Sequence, residues 1–94
     1  MPAKPLRVAR LAQRDAVAAV QWYASEAGES VARRFRDEIS AALTWVAEHP
    51  LAGSPGNKGR RRKHLAHFPY TLYYRVHASH VTVLRIIHQH QNYR

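Results

Sequence analysis

The sequence predicts a small α+β domain of order β-α-α-β-β-β, a helical hairpin packed on one face of a small antiparallel sheet. Three observations carry this. Two consecutive stretches ahead of Pro50 repeat apolar residues at three- and four-residue steps, the period of helices with one buried stripe. Residues 70–76 alternate, with Leu72, Tyr74 and Val76 against Thr71, Tyr73 and Arg75, which suits a strand with one buried face. The run Val81–Ile87 is β-branched and apolar on both faces, the composition of a central strand.

Taken in order, Leu6–Ala9 forms a short first strand that Pro2 and Pro5 confine to a sheet edge. From Leu11 an alanine-rich helix runs to Gly28, with Ala16, Val20, Tyr23 and Ala27 on its apolar stripe and Val17 and Ala24 beside them. The second helix places Val31, Phe35, Ile39, Ala42 and Val46 on one stripe and turns Arg33, Arg36, Asp37 and Ser40 away. Glu29 suits the positive end of its dipole, and Pro50 forbids continuation. Small residues on the first helix and larger ones on the second favour close packing, and Trp22 and Trp45 are either core members or partner contacts, with the core the expected place.

Leu51–Gly59, with Pro55 and three glycines, reads as a loop. Arg60–Leu65, basic and then apolar, opens another strand that runs to about His67 and is broken by Phe68-Pro69. The strand Tyr70–Val76, a turn at His77–Ser79 and the strand Val81–Ile87 complete the sheet. Regular alternation in that last strand puts Arg85 on the face of Val81, Val83 and Ile87, opposite Leu84 and Ile86. His88–Arg94 then leaves the sheet as a polar tail.

Ninety-four residues are expected to form one domain, residues 1–94, burying somewhat over ~60% of the unfolded surface. The formal charge of +9 is concentrated: residues 1–50 hold seven Lys/Arg against six Asp/Glu, whereas residues 51–94 hold eight Lys/Arg and no acid. Six of the seven histidines lie in that second half. Such a field favours nucleic acid or an acidic protein segment. There is no cysteine, which excludes disulfides and thiolate metal sites. With no apolar leader at the start and no run of transmembrane length, the chain reads as a soluble cytoplasmic protein with no membrane partner.

The groups that carry chemistry lie mostly in residues 58–94. Lys58, Arg60, Arg61, Arg62 and Lys63, with Arg75 and Arg85, are suited to phosphate or carboxylate, and Tyr70, Tyr73 and Tyr93 supply stacking faces. In the tail, Arg85, His88, His90 and Tyr93 contain the base, acid and cation of metal-independent RNA cleavage, set against the plainer reading of a strand end and an exposed terminus. A metal held by His64-x-x-His67 or His88-x-His90 would have to be bound by imidazole alone, so no metal and no cofactor is expected. A Gly-rich phosphate loop, a nucleophile elbow and a carboxylate pair are all absent from the sequence.

Leu43–Gly53 (LTWVAEHPLAG), the basic Arg60–Leu65, Phe68-Pro69-Tyr70 leading into Leu72–Val76, and the ending Val83-Leu84-Arg85-Ile86-Ile87-His88 together resemble the RelE/ParE superfamily of bacterial type II toxins, the ending being most similar to the ParE branch. The resemblance implies a toxin neutralised by a cognate acidic antitoxin of the ParD or RelB kind, whose C-terminal segment wraps over the basic sheet and the hairpin. ParE-type members poison DNA gyrase, and RelE-type members cleave mRNA on the ribosome. The RelE pattern usually carries an arginine where this chain has Thr71, while Arg85 and Tyr93 stand near the places of its arginine and terminal tyrosine. The leading expectation is therefore a gyrase-binding toxin with Arg75, Arg85, His88, His90 and Tyr93 facing the target and Arg60, Arg61, Arg62 and Lys63 holding the antitoxin. The alternative is a ribosome-dependent endoribonuclease that uses Arg85 with His88, His90 or Tyr93.

Overall fold

The computed structural model describes residues 3–91 and Tyr93. Helices α1 (Arg10–Ala27) and α2 (Glu29–Glu48) are joined by Gly28 alone, which closes one helix and opens the next at φ 94°, a conformation glycine adopts without steric cost. On α1 the buried stripe is Ala12, Ala19 and Tyr23, with Ala16, Val20 and Ala24 half-buried beside it. Methyl-sized side chains let α2 approach closely, and it brings Phe35, Ile39, Ala42 and Val46 to the same core, as its periodicity predicts.

Trp22 departs from expectation and is 56% exposed. Its neighbour Tyr23 takes the inward position, and adjacent residues on a helix point in different directions, so Trp22 packs only edge-on against the Tyr23 ring at 5.1 Å. Trp45 is half-buried against the core, with the Lys63 ammonium 4.4 Å from its ring centroid. Among the described residues no helix is long and apolar enough to cross a membrane.

The expected α+β class is observed, with the helical hairpin following the first strand. The sheet, however, has five strands where the sequence predicts four, is ordered β1-β5-β4-β3-β2, and is mixed rather than antiparallel. The strands are β1 (Leu6–Val8), β2 (Ser54–Pro55), β3 (Arg61–His64), β4 (Tyr70–Val76) and β5 (Val81–His88). Pairing is antiparallel except that β1 lies parallel to β5, which the intervening hairpin permits as a crossover. The segment read as a loop supplies β2, a two-residue edge strand paired with Arg61 and Arg62, before a 3₁₀ turn at Asn57–Gly59. An edge is where a strand containing Pro55 is tolerated.

Between β4 and β5 the register shifts: Tyr73 faces Arg85 but Tyr74 faces Val83, so Leu84 is an extra residue. This bulge corrects the facing expected for Arg85. Val83 and Ile86, three apart, both enter the core, whereas Arg85 and Ile87 share the opposite face with Tyr73 and Thr71. A one-residue insertion inverts every later side chain, and no apolar pattern reveals it where both faces are apolar.

Tyr74 is fully buried, its hydroxyl donating to the Pro50 carbonyl at 2.8 Å and accepting the Gly53 N–H at 3.0 Å. A Cβ at Gly53 would overlap that hydroxyl and lie 2.8 Å from Tyr74 Cζ and 2.9 Å from the Arg62 carbonyl. Gly53→Ala is therefore expected to destabilise by about 2 kcal/mol, read as a lowered midpoint in urea unfolding. An unchanged midpoint would contradict this close approach.

Candidate functional site

The bulge and the two-residue period of β3 and β4 together build the sheet face turned away from the helices. Tyr73 and Thr71 from β4, Arg62 and His64 from β3, and Gln89 and Gln91 after β5 line a groove of about 790 Å³, closed at one end by Pro55–Asn57, Arg60 and Tyr93. No lining residue is acidic.

Arg60 is buried despite its charge, 6% exposed. Its Nε donates to the Asn57 carbonyl at 3.2 Å, and its guanidinium lies 4.1 Å from the Tyr93 ring centroid, with a long 3.5 Å contact from Nη2 to the Tyr93 carbonyl. Arg85 approaches the same ring at 5.7 Å, and Tyr73 meets it edge-on at 5.1 Å. One aromatic ring thus gathers two guanidinium groups and a second tyrosine. Beside them His64 Nδ1 and Thr71 Oγ1 are hydrogen-bonded at 2.7 Å.

Arg85 is held by a residue distant in sequence. Nε and Nη2 donate to the Asp15 carboxylate at 2.7 and 3.0 Å, a bidentate pair, and Asp15 also accepts the Ile86 N–H at 3.0 Å. The second bond has a topological cause: β1 stops at Val8, opposite Val83, and beyond it β5 has no strand neighbour to receive that amide. Asp15 takes the place of the missing strand. Its hydrogen bond to the guanidinium raises the Arg85 pKa further above its already high ordinary value.

Of the basic run, period-two alternation sends Arg62 to the groove and Arg61 and Lys63 elsewhere. Arg61 donates to the Leu51 and Gly53 carbonyls at 3.1 and 2.8 Å, and Lys63 sits over Trp45. Arg75 donates to the Lys58 carbonyl at 2.8 Å and is not among the groove residues. His88 lies across from Tyr70 and meets its ring edge-on at 5.3 Å. His90 stacks on His88 at 5.0 Å, and its N–H donates to His88 Nδ1. Tyr70 belongs to the helix-side aromatic cluster with Tyr23, Phe35 and Phe68, so the two imidazoles point away from the groove. Burial raises the Tyr70 hydroxyl above its ordinary value, as it does for Tyr74.

The fold therefore brings Arg60, Arg62, Arg85 and Tyr93 to one face and leaves Arg75, His88 and His90 outside that cluster. His64 and His67 are also separated in role, because His67 pairs with Glu38 at 3.2 Å while its N–H donates to the same carboxylate at 2.7 Å. Burial pushes the Glu38 carboxyl up, but the His67 amide and ring and the Ala66 amide outweigh it and hold the group below its ordinary value. Sequence reasoning missed Asp15, and also Tyr73 and the two glutamines as lining residues. A signal existed for Asp15: it lies three residues after buried Ala12 and four before buried Ala19, a position on the flank of an apolar stripe.

A helical hairpin on one side of a mixed sheet, with a basic, tyrosine-lined groove on the other, is the α+β architecture expected of the toxin superfamily that the sequence resembles. The chain belongs to the ParE toxin family of type II toxin–antitoxin systems, whose family model matches residues 6–93. It is similar to a solved structure described as the chromosomal ParDE toxin–antitoxin system from P. aeruginosa, with a TM-score of 0.82 and 24% identity over 92% of this chain and 96% of that one. It is also similar to a structure described as the RelBE2 toxin–antitoxin complex from Mycobacterium tuberculosis, with a TM-score of 0.65 and 20% identity over 93% and 99% of the two chains. At these identities both likenesses establish a shared fold. Comparison with curated proteins finds no match.

Proposed function

We propose that this ParE-family toxin acts in the cytoplasm by binding and blocking a DNA gyrase-type topoisomerase, without bond-breaking chemistry of its own, and that an acidic antitoxin neutralises it. One observation carries the choice of binding over cleavage. RNA cleavage needs a base, an acid and a cation around one phosphate. Here Arg85 is committed to Asp15, and His88 and His90 stack beside Tyr70 on the helix side of β5. In the set expected for cleavage, the arginine and the two histidines therefore do not meet at one point.

The antitoxin half of the proposal is supported by the absence of any acid after Glu48 and by two structural neighbours described as toxin–antitoxin assemblies. In this reading the target-facing set is Arg75, Arg85, His88, His90 and Tyr93, with Arg85 and Tyr93 on the groove side of the sheet and His88 and His90 on the helix side, and the run Arg60–Lys63 meets the antitoxin through its exposed member. Within that run Arg62 is exposed and makes no ion pair among the described residues.

The ribosome-dependent nuclease stands as the second reading, favoured by the meeting of Arg85 with Tyr93. Mapping message ends in cells after induction separates the two. Growth arrest with intact messages is the expected outcome. Cuts at codon positions that appear only during translation would overturn it, and His90→Ala and Tyr93→Ala should then abolish the cuts.

A further inference from the structure

We infer that the groove on the sheet face opposite the helices binds single-stranded nucleic acid, with Arg62 and His64 taking a phosphodiester and the Tyr73 ring taking a base. This goes beyond the topoisomerase reading and stands or falls without it.

The first support is the chemistry of the wall. Arg62 and His64 project from one strand into a groove that also presents the amides of Asn57, Gln89 and Gln91 and no carboxylate. Arg62 is exposed, forms no ion pair among the described residues and offers a planar fork of donors. Because His64 Nδ1 is engaged by Thr71, the Nε2 side of that ring is left for a ligand.

A second support is aromatic. Tyr73 lines the groove and is braced edge-on by Tyr93, whose own ring is held by the buried Arg60. That brace fixes a stacking face directly across the strand pair from Arg62 and two residues along from His64, the pairing of cation and platform that single strands use. Apart from its tyrosines the described lining is polar, with the amides of Asn57, Gln89 and Gln91 to meet base edges and Pro55 alone to meet a peptide's aliphatic side chain. The acid-free half of the chain adds the long-range field that draws a polyanion in.

The test is fluorescence anisotropy of the full chain with a labelled oligothymidylate of about ten nucleotides, at low and raised salt. Binding that weakens with salt is expected, with Arg62→Ala and Tyr73→Leu each losing about tenfold in affinity. Arg33→Ala, on the exposed face of α2, should change affinity by less than about twofold. Circular dichroism confirms that each variant is folded. The inference is overturned if Arg33→Ala loses as much as Arg62→Ala, which means diffuse charge only, or if a duplex of the same sequence binds equally well, which means that no base is stacked. It is likewise overturned if poly-glutamate binds more tightly than the oligonucleotide at the same salt, which marks the groove as an acidic-peptide site.

Discussion

Phe35→Ala is expected to destabilise the protein by about 4 kcal/mol, the largest single effect predicted for this chain. Phe35 is fully buried and its ring packs against Tyr23 at 4.8 Å, Phe68 at 5.0 Å and Tyr70 at 5.1 Å. It is the one aromatic of α2 that touches α1, the turn before β4 and β4 itself. Truncation to Ala removes the transfer free energy of the ring and leaves a cavity among residues from three elements that cannot all collapse. Since small domains are stable by only about 5–15 kcal/mol, the variant should melt far below the parent and approach marginal folding at growth temperature. Phe35→Leu, which keeps most of the volume, should lose less than half as much. Urea unfolding of the three proteins measures both differences, and a loss below about 1.5 kcal/mol for the Ala variant would mean that the cluster is not the core it is described as.

Asp15→Ala should cost about 3 kcal/mol, for two reasons that act together. It leaves the Arg85 guanidinium without its bidentate partner, and it leaves the Ile86 amide without an acceptor at an edge where no strand reaches. Side-chain exposures of 28% for Arg85 and 16% for Asp15 mean that solvent recovers part of the loss, which places the expected cost at the lower end for a broken partly buried pair. Combining Asp15→Ala with Arg85→Ala should be less destabilising than the sum of the single changes by about 1–2 kcal/mol, because the orphaned charge is removed with its partner. Additive losses in thermal or urea unfolding would mean that the pair is a surface contact without structural weight.

These two residues also mark what a linear reading can and cannot supply. Phe35 was legible: its stripe repeats at helical spacing, and nothing else in the sequence competes for the same face. The helical hairpin, the basic strand and the final β-hairpin were legible for the same reason, a period matched by a stop at Gly28, Pro50 or Pro69. Arg85 was legible as a lone arginine among apolar neighbours, but its facing was not. The bulge at Leu84 depends on register with β4, and the sequence around it is apolar on both sides.

Asp15 lies 70 positions from Arg85, and only the closure of α1 onto β5 makes them partners. His88 and His90 group with Arg85 in the target-facing set, and in the nuclease alternative, because they sit next to it in sequence. Strand alternation turns His88 toward Tyr70 instead, and His90, in the turn after β5, stacks on it, which is visible only once the register of β5 is known. Tyr93 fell within the polar tail, yet it returns over Arg60, a contact carried by stacking rather than by periodicity. The basic run Arg60–Lys63 likewise divides between two faces, which its period of two already implied.

Central to this account is the proposal that a ParE-family toxin with a divided histidine set and an Arg85 paired to Asp15 works by binding a topoisomerase. The most direct measurement adds the purified, folded chain to DNA gyrase with relaxed plasmid and ATP, at low and at raised salt. The account predicts inhibited supercoiling or accumulated cleaved complex, without ribosomes and weakened by salt. Full supercoiling in the presence of folded protein, together with message cleavage when ribosomes are supplied, would contradict it.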